Sequence, residues 1–165
     1  MKTAAPLYLR TIIFGITDSL VSTVGLLAGI DVAGAPHATL ALTGIVYAFV
    51  EAFSMAVGNF LSEESAEEYE SRASVNNLPP LVAGVVMFIS FVLAAFIPLV
   101  PYLIFGTWVA LLTSVVVSVI ALFITGVVSA RLSGLPSAWR GVRMALLGGS
   151  AILIGVIIGS IVPIK

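Results

Sequence analysis

"LPPLVAGVVMFISFVLAAFIPLVPYLIFGTWVALLTSVVVSVIALFITGVVSA", residues 78–130, contains no charged side chain. At about 1.5 Å of rise per helical residue, the tract is long enough to cross a hydrocarbon core of roughly 30 Å twice. Such a run suits a bilayer, where each backbone polar group must be bonded within the spanning segment and a helix meets that demand. The rest of the chain agrees. Of 165 residues, 60% are hydrophobic and 9% charged, with a mean hydropathy of +1.20, whereas soluble domains carry roughly 25% charged residues. The reading is an all-α integral membrane protein.

Outward from that tract, five apolar segments separate: residues 11–30, 38–61, 81–99, 103–128 and 143–162, each near the roughly 20 residues that span a bilayer. Asp31 to Pro36 turns the chain after the first, and Asn76-Asn77-Leu78-Pro79-Pro80 opens the third. Pro98-Leu99-Val100-Pro101 is expected to divide spans three and four, because proline interrupts a helix and restrains the residue before it. Gly134 and Pro136 separate four from five. The expectation is one five-span domain over residues 1–165, with a short acidic cytoplasmic segment at 63–78. Its orientation follows from the cations. With the N-terminus cytoplasmic, Lys2, Arg10, Arg72, Arg131, Arg140 and Arg143 fall inside and only Lys165 outside, as positively charged loops require. The C-terminus then lies outside or lumenal. Tyr102 and Trp108 near that face, and Trp139 near the other, suit interfacial anchoring. A cleavable signal peptide is the rival for the N-terminus, since Ala33-Gly34-Ala35 has the form of a cleavage site. The first apolar run exceeds the usual leader core of about 7–15 residues and is interrupted by Asp18, which favours an uncleaved span.

Several function classes drop out. Without cysteine there is no disulfide, thiolate metal site, iron–sulfur cluster or cysteine nucleophile. The net charge of −1 and dispersed cations make a nucleic-acid partner unexpected. No phosphate-binding loop, nucleophile elbow or zinc-protease motif occurs, and a single histidine leaves little scope for a hydrolytic centre. The expectation is no enzyme and no prosthetic group.

The residues that invite chemistry are carboxylates in apolar surroundings. Asp18 lies in the first span, and Thr11, Gly15, Asp18, Ser22, Gly25 and Gly29 advance in steps of four and three along one helical stripe. Small residues admit a close neighbouring helix, so the aspartate faces protein or a water-filled path; it is either a helix-holding hydrogen-bonding group or a functional one. In the second span Glu51, Met55 and Asn59 recur every four residues. Carboxylate and amide oxygens suit divalent cations, and a thioether adds preference for softer transition metals, although methionine also serves simply as packing. Next come Glu63, Glu64, Glu67, Glu68 and Glu70. At a helix C-terminus these like charges repel each other and oppose the helix dipole. They are either a solvated acidic helix end or a funnel that concentrates cations. His37, beside Pro36, reads as a surface residue more readily than as a ligand. Gly155-x-x-x-Gly159 in the fifth span suggests close helix packing.

These residues resemble a known family. "FGITDSLVSTVGLLAGI" is similar to the first-span pattern of the vacuolar iron transporters, and Ser54, Met55, Gly58, Phe60, Leu61 and Ser62 match their second-span signature. "AAFIPLVPY" and "RGVRMALLGGSAILIGVIIG" also look like that family, so the resemblance covers nearly the whole chain. It implies five transmembrane helices in a homodimer, a metal path lined by the first two helices near the dimer axis, and proton-coupled export of ferrous iron, sometimes manganese, from the cytoplasm. By motif Asp18 corresponds to the family's membrane aspartate and Met55 to its pathway methionine. Two departures stand out. Asn59 and Tyr47 occupy positions where many members are acidic, while Glu51 stands one turn before Met55. Longer relatives also insert a glutamate-rich cytoplasmic domain where this chain has only residues 63–78.

The resulting expectation is a homodimeric exporter of Fe2+, with Mn2+ as an alternative cargo and H+ as coupling ion. Asp18, Glu51, Met55 and Asn59 would form the path, and Glu63, Glu64, Glu67, Glu68 and Glu70 the cytoplasmic mouth. Its membrane would be the cell membrane in a prokaryote and a vacuolar-type membrane in a eukaryote. Two other readings compete: a non-transporting assembly or regulatory subunit whose carboxylates hold helices together, and a cationic-drug exporter, which the few aromatic residues beside Asp18 and Glu51 disfavour.

Overall fold

The computed structural model describes residues 5–73, 76–162 and 164. Lys2 and Lys165, two of the cations used for orientation, and Ser74 and Val75 of the acidic segment lie outside the described residues. Among those described the fold is all helical: α1 (Ala5–Val32), α2 (His37–Ser71), α3 (Leu78–Ile104), α4 (Thr107–Leu132) and α5 (Ser137–Ile161). Each of these five is long and apolar enough to cross a membrane.

Two helix ends show why the chain turns where it does. Gly34 (φ 91°) and Gly134 (φ 68°) take the left-handed conformation that non-glycine residues resist. Each lets the following amide reach back to the last turn, Ala35 N–H to Ile30 O (3.2 Å) and Leu135 N–H to Ala130 O (3.0 Å), which satisfies carbonyls that the helix end would leave open.

The break between spans three and four falls elsewhere than expected. Pro98 and Pro101 both lie inside α3, which continues to Ile104. The chain turns at Phe105 and Gly106, and α4 starts at Thr107. Proline removes a backbone donor, but both rings are buried against neighbouring helices, and a spanning helix tolerates that loss where the bundle supplies compensating contacts. The Ser114 hydroxyl of α4 donates to the Pro98 carbonyl (2.8 Å), fastening the proline turn to its neighbour. Tyr102, expected at the interface, is instead wholly buried in the bundle, whereas Trp108 and Trp139 are exposed.

α1 is the central element and packs on all four others; α2 packs also on α3, α3 on α4, and α4 on α5. Lipid is as apolar as leucine, so this packing rests on close approach of small residues and on interhelical hydrogen bonds. Gly25 and Gly29 of α1 lie directly against the carbonyls of Ala151 and Gly155 in α5; a side chain at Gly29 would come within 2.8 Å of the latter. Part of the small-residue stripe on α1 is therefore covered within the chain. On another side, the Ser19 hydroxyl donates to the Phe91 carbonyl of α3 (2.7 Å). Beside α5 a face of α1 remains uncovered, and a groove of about 520 Å³ runs there past Ser22, Gly25, Gly29, Gly155 and Gly159.

Candidate functional site

α2 has 35 residues, or about 52 Å of helix, well beyond a hydrocarbon core of roughly 30 Å. Its faces are sharply divided. Leu40, Gly44, Ala48 and Ala52 are buried. Leu42, Val46, Val50, Phe53, Val57 and Leu61 are exposed, as lipid contact demands. A third stripe, half-buried, contains Tyr47, Glu51, Met55, Asn59 and Glu63, one residue per turn. It is the polar edge of the helix, continued over many turns.

α1 runs antiparallel beside it, and three pairs set the register. The Tyr47 hydroxyl interacts with the Ser22 side chain and lies within electrostatic reach of both Glu51 and Asp18. The carboxylates of Asp18 and Glu51 lie close enough to repel one another. Toward the charged end, the Arg10 guanidinium forms an ion pair with Glu63. Met55 and Asn59 lie between these levels on α2, and this register brings Asn59 within about a turn of Thr11. The Asn59 amide nitrogen and the Thr11 hydroxyl are both buried without a hydrogen-bond partner. Buried polar groups are ordinarily satisfied, so these two are polar groups with unused hydrogen-bonding capacity on the facing sides of α1 and α2. Ser22 donates its hydroxyl to the Asp18 carbonyl (2.6 Å), which holds it on the side of the helix that carries the aspartate.

The structure thus brings Asp18 and Glu51 together and places Met55 and Asn59 on the same edge, one and two turns toward the charged end. Among the described residues neither carboxylate has a cationic side chain beside it. Two like charges within electrostatic reach of each other among apolar helices are stabilised by binding a proton or a cation, and an unpaired charge there is costly. Chemically the arrangement can hold a dication between two helices, with oxygens from Asp18 and Glu51 and with thioether and amide groups one and two turns away. The acidic residues are arranged differently. α2 continues to Ser71, so Glu63 and Glu67, and Glu64 and Glu68, do stand one turn apart on one helix. Among the described residues no three His, Asp or Glu side chains converge into a cation cage. Glu63 pairs with Arg10, and Arg72 ends the helix with its guanidinium 5.5 Å from the Tyr69 ring. His37 opens α2 at the opposite end and is exposed.

Neither the part of Tyr47 at this site nor the pairing of Arg10 with Glu63 is evident from the sequence alone. The four-residue spacing that joins Glu51, Met55 and Asn59 extends backward to Tyr47 and forward to Glu63, and that was the available signal. Which α1 residues oppose them depends on the helix register, which periodicity within one helix does not contain.

Comparison with known proteins gives this geometry a context. The model of the VIT family matches residues 9–78 and 71–160. A protein described as "Vacuolar iron transporter homolog 1" from Oryza sativa subsp. japonica is 30% identical over 158 residues, covering 86% of this chain and 68% of the relative. With a match from near its first span to the end of its fifth, the chain belongs to the VIT family, and it is a multi-pass membrane protein that transports metal ions and is not an enzyme.

Proposed function

We infer that this protein exports ferrous iron from the cytoplasm in exchange for protons, with manganese as a second cargo, and that it does so as a homodimer. The observation that carries the reading is the pair Asp18 and Glu51, two carboxylates within electrostatic reach of each other and with no cation beside them among the described residues, on helices otherwise made for lipid. A dication relieves their repulsion, and so do protons; the two therefore compete for the same oxygens, and competition at a site open alternately to each side is antiport. Met55 biases the choice toward softer transition metals over magnesium and calcium. Iron is favoured by the description of the rice relative. Asn59, with its buried unpartnered amide, accompanies the ion on the cytoplasmic side, where the acidic end of α2 raises its local concentration. The uncovered face of α1 beside α5 is the surface offered to a second copy, which puts Ser22 and Asp18 near the two-fold axis.

Flux of Fe2+ and Mn2+ into proteoliposomes tests the reading. Wild-type vesicles should accumulate both, whereas Asp18→Asn and Glu51→Gln should each lower flux by about tenfold or more, the scale on which metal sites lose affinity when a ligand's support is removed. Undiminished flux in both variants would remove these residues from the path.

A further inference from the structure

At the charged end of the bundle α1 and α2 are tied by the Arg10–Glu63 ion pair, whose partners are unequally placed. The Glu63 side chain is 15% exposed and the Arg10 side chain 67%. A largely buried carboxylate is costly to leave unpaired, whereas an exposed guanidinium returns to water with little loss. Glu63 therefore needs a cation, but that cation need not be Arg10. Just inward stand two more groups. Thr11 follows Arg10 on α1, Asn59 lies one turn before Glu63 on α2, and both carry buried polar atoms with unused hydrogen-bonding capacity. Met55 and Glu51 continue the same edge of α2 toward the level of Asp18. Arg10 thus closes the end of a polar seam. Of the four helices on which α1 packs, α2 holds it most lightly, and the ion pair lies well away from the close glycine contacts that bind α1 to α5.

We propose that Arg10 is an exchangeable latch on the metal path: an arriving dication displaces its guanidinium from Glu63, and the freed ends of α1 and α2 part to admit the ion toward Asn59 and Met55. This role rests on the transport reading above. Glu63 keeps a cationic partner throughout, so the exchange avoids the cost of a bare, largely buried carboxylate. The dication brings twice the charge of the guanidinium, while its tether gives Arg10 the higher local concentration, so the two compete for the same oxygens. Once the ion has moved inward, Arg10 returns to Glu63 and shuts the seam behind it, as opening to one side at a time requires. Arg10 never holds the ion; it is a positioning residue that acts through Glu63.

The chain has no cysteine, so Asn59→Cys, one turn inward of the latch, places a single thiol that reports whether the seam is open. Its labelling by a neutral, water-soluble maleimide is measured without metal. Adding Arg10→Gln should speed labelling about two- to fivefold, the worth of one exposed ion pair transferred to the open population. Arg10→Lys, which keeps a cation, should return the rate toward its starting value. Should Arg10→Gln fail to fold, Glu63→Gln breaks the same pair and should give the same acceleration. With Asn59 intact, Arg10→Gln should also lower the Mn2+ concentration for half-maximal flux by about the same factor, because metal no longer competes with a tethered cation; loss of a mere fastening would leave it unchanged or raise it. Arg10→Cys bridged to Glu63→Cys by a reducible bifunctional thiol reagent should stop flux, and reduction should restore it. Labelling indifferent to both Arg10→Gln and Glu63→Gln, or full flux through the bridged variant, would overturn the latch and leave the pair as a fastening between two helix ends. Vesicles in which the native protein moves no Mn2+ would contradict the transport reading, while labelling would still decide the latch.

Discussion

Tyr47 occupies a position where the family pattern often has an acid, yet its hydroxyl interacts with Ser22 and lies within electrostatic reach of both membrane carboxylates. A phenol cannot supply the charge of a carboxylate at neutral pH, but it can donate a hydrogen bond to one and fix its orientation. Tyr47→Phe deletes that donor and keeps the ring. The metal concentration for half-maximal flux should rise by about tenfold, as when a metal ligand loses its supporting hydrogen bond, with maximal flux little changed. Unaltered half-saturation would reduce Tyr47 to packing, and collapse of maximal flux would make it part of the transfer step. Asp18 and Glu51 were legible from sequence because a charge among apolar residues stands out against its cost. Tyr47 was not, because an aromatic residue on a membrane helix carries no such cost; its importance comes from the residue across the helix interface.

α2 and α3 show where periodicity informs and where it misleads. The one-per-turn spacing of Glu51, Met55 and Asn59 identified the polar edge of α2, which extends to Tyr47 and Glu63. Pro98 and Pro101 suggested a helix end, yet α3 runs through both, since burial against neighbours supplies what proline takes from the backbone. The acidic end of α2 also joins sequence to structure. It is helical to Ser71, and Glu63 is engaged by Arg10, so Glu64, Glu67 and Glu68 are the better test of a cation-concentrating funnel. Changing these three to Gln should raise the metal concentration for half-maximal flux and leave the maximum intact. A field outside the bilayer is screened over about 8 Å at physiological salt. Added salt should therefore weaken the native protein's apparent affinity more than the variant's. Equal salt dependence would show that the funnel does not operate.

On the scale of the whole molecule, α1 is gripped by its four neighbours but left open along the groove beside α5. In the sequence the small residues of α1 form one stripe. In the bundle it is divided, with Gly15 against α3 and with Gly25 and Gly29 against α5. Helical periodicity shows that residues share a stripe but not which of several neighbours covers each part of it. Ser22 lines the open groove, so a single cysteine placed there in this cysteine-free chain should give an intersubunit crosslink in lipid and in mild detergent. Only monomer under both conditions would reject the dimer. The central claim is that metal and protons exchange at the Asp18–Glu51 pair. The most direct measurement follows internal pH and Mn2+ together in vesicles carrying the protein in known orientation, with no pH gradient imposed. Mn2+ entering from the cytoplasmic face should drive protons out and make the interior alkaline, and Asp18→Asn with Glu51→Gln should abolish both movements. Undiminished Mn2+ entry with no change in internal pH, in vesicles otherwise tight to protons, would contradict the account.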